Sequence, residues 1–217
     1  MPHLALLGDA TLANAKHAAP EPDTTAILRN LLPGWTVTLL AAEGSTIATS
    51  QSQLQRLPPG VDLIVLSVGG SDAMQHVEML QQPTLSSGET LDALAKLANE
   101  FEARYDQLIQ ALHGLAPRLV VCTIYEPPLV GANTARRASV ILTMLNDRIL
   151  RTANRWALEL LDLRSILTTS ADFKLQIQPS AAGGSPLARS TQATGARRAA
   201  TSSQRSGGSV AREMATS

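Results

Sequence analysis

The sequence predicts an α/β protein, a parallel sheet of about five strands with helices on both faces. Three observations carry that expectation. Five short apolar runs are continuous rather than alternating, as strands covered on both sides should be. Between them lie stretches whose apolar residues fall three or four apart, the period of a helix against a core. Run and stretch alternate along the chain, so each strand reaches its parallel neighbour through a crossover.

The elements follow in order. His3-Leu-Ala-Leu-Leu-Gly8 is a buried-strand run ending in glycine. A short helix fits Thr24–Leu32, and Pro33-Gly34 then signals a turn into Trp35–Ala41. A second short helix fits Thr46–Leu57, before the run Asp62–Val68. The clearest helix spans about Glu89–His113, with Leu91, Leu94, Leu97, Phe101, Tyr105, Leu108 and Leu112 on one stripe. Ser87 is placed to cap its start and Gly114 its end. Arg118–Ile124 is the fourth run, Thr134–Asn154 the next helix, with Ile141, Leu145 and Ile149 aligned, and Ala157–Leu163 the fifth run.

Composition bounds the function. The chain has 217 residues, 44% hydrophobic, which is enough for one core. Lys+Arg 18 against Asp+Glu 18 leaves no basic excess, which argues against nucleic-acid and membrane-surface partners. Aromatic residues at 3% leave little to stack on bases or sugars. A single cysteine, Cys122, excludes a disulfide framework and a cysteine-rich metal site. No basic n-region precedes the short apolar run Leu4–Leu7, so the expectation is a soluble, cytoplasmic protein. From Pro179 onward stand five arginines (189, 197, 198, 205 and 212) and one acid, Glu213, so the rest carries four excess negative charges. Residues 186–217 are almost wholly Ala, Ser, Thr, Gly and Arg, and the expectation is a domain over 1–185 followed by a disordered tail. That tail reads as a solvated extension, as a basic arm, or as GC-rich DNA translated out of frame.

Ligands of an open parallel sheet bind at the carboxyl ends of its strands, so the loops there hold the chemistry. They read Gly8-Asp9-Ala10-Thr11, Glu43-Gly44-Ser45, Ser67-Val68-Gly69-Gly70-Ser71-Asp72, Thr123-Ile124-Tyr125-Glu126 and Gln178-Pro179-Ser180. In this order and spacing, over roughly residues 3–188, they resemble the blocks of the SGNH (GDSL-type) lipase/esterase superfamily. The resemblance includes Asn14-Ala15 after the first block, Cys122-Thr-Ile-Tyr125, Asn146-Asp147 and Asp162-Leu-Arg164. It implies a three-layer α/β/α sandwich of flavodoxin-like type, a small ester in a cleft at the strand ends, and neither cofactor nor metal.

The family reaction is acyl-ester hydrolysis by a serine that a histidine deprotonates. The resemblance puts the nucleophile position at Ala10, whose methyl group cannot attack a carbonyl. Thr11 is adjacent, but the turn is expected to aim it elsewhere. The oxyanion-hole positions fall on Ala10, Gly44 and Ser71, where the family has asparagine at the last. Ser71 is equally a candidate helix N-cap. The base position falls on Gln178 before Pro179, with Leu175 three residues earlier, and no histidine follows His113. His17 and His76 follow cleft-facing loops and remain candidate bases beside a surface reading. Asp9 is expected to hold structure by hydrogen bonding, with a catalytic role as the alternative. Asp72 is expected to orient a base or cap a helix, and Asp162 to pair with Arg164.

Three accounts therefore stand: a non-catalytic relative with a ligand cleft, an esterase in which serine became alanine, and hydrolysis by another arrangement. A separate reading is a flavodoxin-like module binding a small anion on the backbone N–H groups of Gly69-Gly70-Ser71.

Overall fold

The computed structural model describes residues 1–76, 83–174 and 178–210, with side chains described to residue 195. Leu175, Arg212 and Glu213, and the side chains of Arg197, Arg198 and Arg205, lie outside the described residues. Five parallel strands form the sheet: β1 (His3–Gly8), β2 (Thr36–Leu39), β3 (Leu63–Ser67), β4 (Arg118–Cys122) and β5 (Glu159–Leu161). Their spatial order is β2-β1-β3-β4-β5. Each strand lies inside a run that the sequence marks.

Alternate residues of each strand face opposite sides, and both sides are apolar. Ala5, Leu7, Ile64, Leu66, Leu119 and Val121 enter one cluster with Phe101, Tyr105, Leu108 and Ile149. Leu4, Leu6, Leu63, Val65, Val120 and Cys122 enter the other with Leu28 and Leu187. The first face is covered by α3 (Ile47–Leu54), α5 (Ser87–Leu112) and α6 (Ala132–Arg155). The second is covered by α2 (Thr24–Leu31), α7 (Leu163–Ile166) and α8 (Ala181–Val210). The result is the α/β/α sandwich that the sequence predicts. Shorter elements are α1 (Ala15–Ala18), α4 (Gly70–Met74) and the small antiparallel pair β6 (Phe173–Lys174) and β7 (Gln178–Pro179).

Three expectations need correction. The cap of α5 is Ser86, one residue earlier than Ser87, and its hydroxyl accepts the Glu89 N–H at 3.1 Å. Ser71 is no N-cap: it sits inside α4, whose N-cap is Gly69. Residues 186–195 are not a disordered tail. They continue α8, with Leu187, Ala188 and Thr191 buried. The reason is close approach rather than apolar content. A Cβ on Gly184 would stand 2.8 Å from Thr24 Oγ1, and one on Gly183 would stand 2.4 Å from the Asp172 carbonyl. Small residues let this helix lie against α2 with few large side chains.

Candidate active site

The first loop is shaped by a glycine. Gly8 ends β1 at φ +117°, and a Cβ there would stand 1.8 Å from the Ser67 carbonyl oxygen. That contact brings the β1 and β3 backbones together, and Asp9 N–H donates to the same carbonyl at 2.9 Å. The following turn carries Asp9, Ala10 and Thr11 to the wall of a cavity of about 500 Å³. Gly44, at φ +76° after β2, and Ser71 in α4 reach the same cavity, as does Gln178 from β7. Five positions singled out from the sequence, Asp9, Ala10, Gly44, Ser71 and Gln178, thus meet in one place.

The backbone amides of Ala10 and Gly44 are the useful donors. Among the described residues neither has an acceptor within the protein, while the neighbouring Thr11, Leu12 and Ser45 amides are all bonded. Paired free N–H groups on a cavity wall suit a carbonyl oxygen that gains negative charge.

Asp9 is 5% exposed. Its Oδ1 accepts the Thr11 N–H at 3.0 Å, and the polar groups of Thr11 and Gly70 favour its ionised form. Burial outweighs these bonds and pushes the Asp9 carboxyl up to about 6. The Asp9 carboxylate lies against Gly70, its Oδ2 3.6 Å from where a Cβ there would stand, so a carboxylate lies where the anion-binding reading needs a phosphate.

Asp72 stands apart from the cavity wall. Its Oδ2 accepts the Ile47 N–H at 3.0 Å, so it caps the start of α3 from a distant part of the chain. Burial raises its carboxyl as well. Asp162 pairs with Arg164 at 2.7 Å, as expected, and that partner lowers its carboxyl. Neither His17 nor His76 lines the cavity. His17 Nε2 lies 3.2 Å from Glu43 Oε1 at the rim, where Lys16 Nζ holds the other oxygen at 2.7 Å.

Thr11, almost fully buried, lies beside Ala10 on the cavity wall. Tyr125 lines the same wall, and burial holds its phenol proton firmly. The remaining wall is apolar: Ile124, Pro127, Leu129, Ile141 and Leu142. These residues come from the segment after β4 and from α6. The side chain of Asn146 fixes that segment, accepting the Ile124 N–H at 2.7 Å and donating to the Ile124 carbonyl at 2.8 Å. Periodicity reveals Ile141 as core, but which apolar residues line a cavity depends on the loop path, which periodicity does not carry.

Residues 6–184 match the model of the GDSL-like lipase/acylhydrolase family. The chain belongs to that family. No curated protein matches it. Among solved structures it is similar to the extracellular lipase of Streptomyces rimosus, at 16% identity and a TM-score of 0.65, over 86% of this chain and 96% of that one. It is similar to phospholipase A1 of Streptomyces albidoflavus NA297, at 16% identity and a TM-score of 0.64, over 88% and 99%. A catalytic mutant of an acetylxylan esterase from Geobacillus stearothermophilus gives 16% and 0.59, over 87% and 91%. At such identities the likeness is one of fold. Within this GDSL-like fold the described residues include no cluster of three or more metal-ligating side chains, and none of their helices is long and apolar enough to cross a membrane.

Proposed function

We propose that this GDSL-like protein binds a small carboxylic ester in the cavity and hydrolyses it only feebly. The observation that carries the reading is Ala10. A methyl group stands on the cavity wall at the family's nucleophile position, beside two backbone donors suited to an acyl carbonyl. The cleft therefore keeps what recognises the ester and lacks the serine that attacks it. Gln178 is uncharged and accepts no proton, and no histidine shares the wall, so the family's base is missing too. An oxyanion hole and binding alone leave a catalytic advantage of about 10³–10⁴ over water, far below a complete triad. The apolar wall of Ile124, Leu129, Ile141 and Leu142 receives the acyl chain. The single cysteine is free and buried, in keeping with a cytoplasmic site of action.

The test is binding and turnover of short-chain p-nitrophenyl esters, measured together. Saturable binding is expected, with release of p-nitrophenol slow but above the buffer rate. The Ala10→Ser variant is expected to stay within about tenfold of the parent, because serine without a base is a poor nucleophile. Turnover by the parent at an ordinary esterase rate, or absence of ester binding, overturns the reading.

A further inference from the structure

We infer that the cavity takes a medium-chain acyl group, of about eight to ten carbons, in a groove bounded by α4 and α6, and that Ala138 sets how far the chain reaches. This substrate class rests on the ester-binding reading above and concerns the same cavity.

One face of α6 lines the groove. Thr134, Ala138, Ile141 and Leu142 all reach the cavity wall, at the i, i+4, i+7 and i+8 spacing that puts side chains on one side of a helix. Exposure falls along that row, from exposed Thr134 through half-buried Ala138 to Ile141 and Leu142, both buried. Ala73 and Met74 of α4, which packs against α6, line the cavity too. The inner end is fixed by Ile124, which shares a core cluster with Ile141 and Leu142. Ile124 Cγ2 lies 3.9 Å from where a Cβ on Gly70 would stand, and Asp9 Oδ2 lies 3.6 Å from the same point. The inner end therefore adjoins the Ala10 turn, where the acyl carbonyl sits. Met74, 51% exposed, marks the outer end with exposed Gln75 and Thr134.

Dimensions choose the chain. From Leu142 to Thr134 the helix rises about 12 Å, the extended length of an acyl chain of about ten carbons. A cavity of about 500 Å³ is large enough to enclose a whole drug-sized molecule, so a butyryl group leaves much of the row bare. A longer chain covers that apolar surface, and each methylene fully buried tightens binding about fourfold. Past Thr134 the chain meets water, and further methylenes contribute nothing. Ala138 stands midway and carries the smallest side chain of the four. A larger one there closes the groove about 6 Å from Leu142, after about five carbons.

The experiment measures affinity for p-nitrophenyl esters from butyrate to dodecanoate, by calorimetry below the micelle concentration of each. In the parent, affinity is expected to rise about two- to fourfold per methylene as far as the decanoate and to level off at the dodecanoate. Ala138→Leu puts a strong helix former at a half-buried site, so its melting temperature is expected to stay near the parent's. It is expected to lower the ratio of decanoate to butyrate affinity at least tenfold. Val140→Leu places a leucine where α6 is 60% exposed, and is expected to leave that ratio at the parent's value. Equal affinity of the parent for butyrate and decanoate overturns the groove and leaves the ester-binding reading standing, as does a rise that continues undiminished to the dodecanoate. A ratio unchanged in Ala138→Leu, or lowered as far by Val140→Leu, overturns the role of Ala138. Failure of every ester to bind removes the groove and the ester-binding reading together.

Discussion

The side chain of Gln53 bonds the backbone of Gly8 as a neighbouring strand would. Its Oε1 accepts the Gly8 N–H at 2.8 Å and its Nε2 donates to the Gly8 carbonyl at 2.9 Å. Gln53 is 2% exposed and its Nε2 also reaches Ser45 Oγ at 3.2 Å, so one amide ties the Ala10 turn to the Gly44 loop. Gln53→Leu leaves the Gly8 N–H buried without an acceptor, whereas the carbonyl keeps the Ala42 N–H at 3.0 Å. The expected loss is about 1–3 kcal/mol, read from urea unfolding. A midpoint equal to the parent's would show that the amide does not hold the two loops.

Gly8 itself tolerates nothing larger. Alanine there would push a methyl to 1.8 Å from a backbone oxygen, at a φ that L-residues rarely adopt. Gly60, at φ +73° with open space around the same test atom, isolates the conformational part of that cost. Gly60→Ala is expected to cost about 1 kcal/mol and Gly8→Ala more than about 4, enough to abolish soluble expression. Comparable melting temperatures for the two variants would contradict the close approach of β1 and β3.

The strands and the long helices were legible because periodicity reports burial, and here burial is regular. Leu97, Phe101, Tyr105, Leu108 and Leu112 repeat as a stripe and all lie in the core. The loops at the strand ends were legible through their resemblance to a family, which brought Ala10, Gly44, Ser71 and Gln178 to one cavity. Less visible were contacts between distant polar residues. Nothing local marks Gln53 as the partner of Gly8, or Asp72 as the cap of α3, because each bond joins segments that only the fold brings together. The helix after residue 185 escaped for the opposite reason: apart from Leu187 its docking face is made of Gly, Ala and Thr, which carry almost no hydrophobic signal.

That docking helix is open to test. Leu187 is fully buried in the cluster on the α2 face of the sheet. Leu187→Ala is expected to cost about 2–5 kcal/mol, as large-to-small core changes do. Gly184→Ala is expected to destabilise as well, by forcing α8 away from Thr24. Unfolding in urea measures both. A solvated tail would show neither effect, so unchanged midpoints would return residues 186–195 to that description.

Asp9 gives the fold a pH dependence whose sign follows from its environment. Its neutral form suits the buried site, so the stabilising state is present at low pH and is lost as pH rises through about 6. Moving a carboxyl from an ordinary 3.8 to about 6 corresponds to about 3 kcal/mol at full ionisation. Asp9→Asn cannot ionise. It is therefore expected to match the parent near pH 4 and to exceed it at pH 8, by up to that amount. The difference between the two proteins is the quantity to follow, since Asp72 titrates in the same sense and Asp162 in the opposite one, and both are common to parent and variant. Thermal melts from pH 4 to pH 8 give it directly. A gap that opens between pH 4 and 6 places an ionised carboxylate in a buried site at neutral pH. A gap independent of pH would mean that Asp9 is solvated enough to titrate normally, and the case for its added basicity would fall.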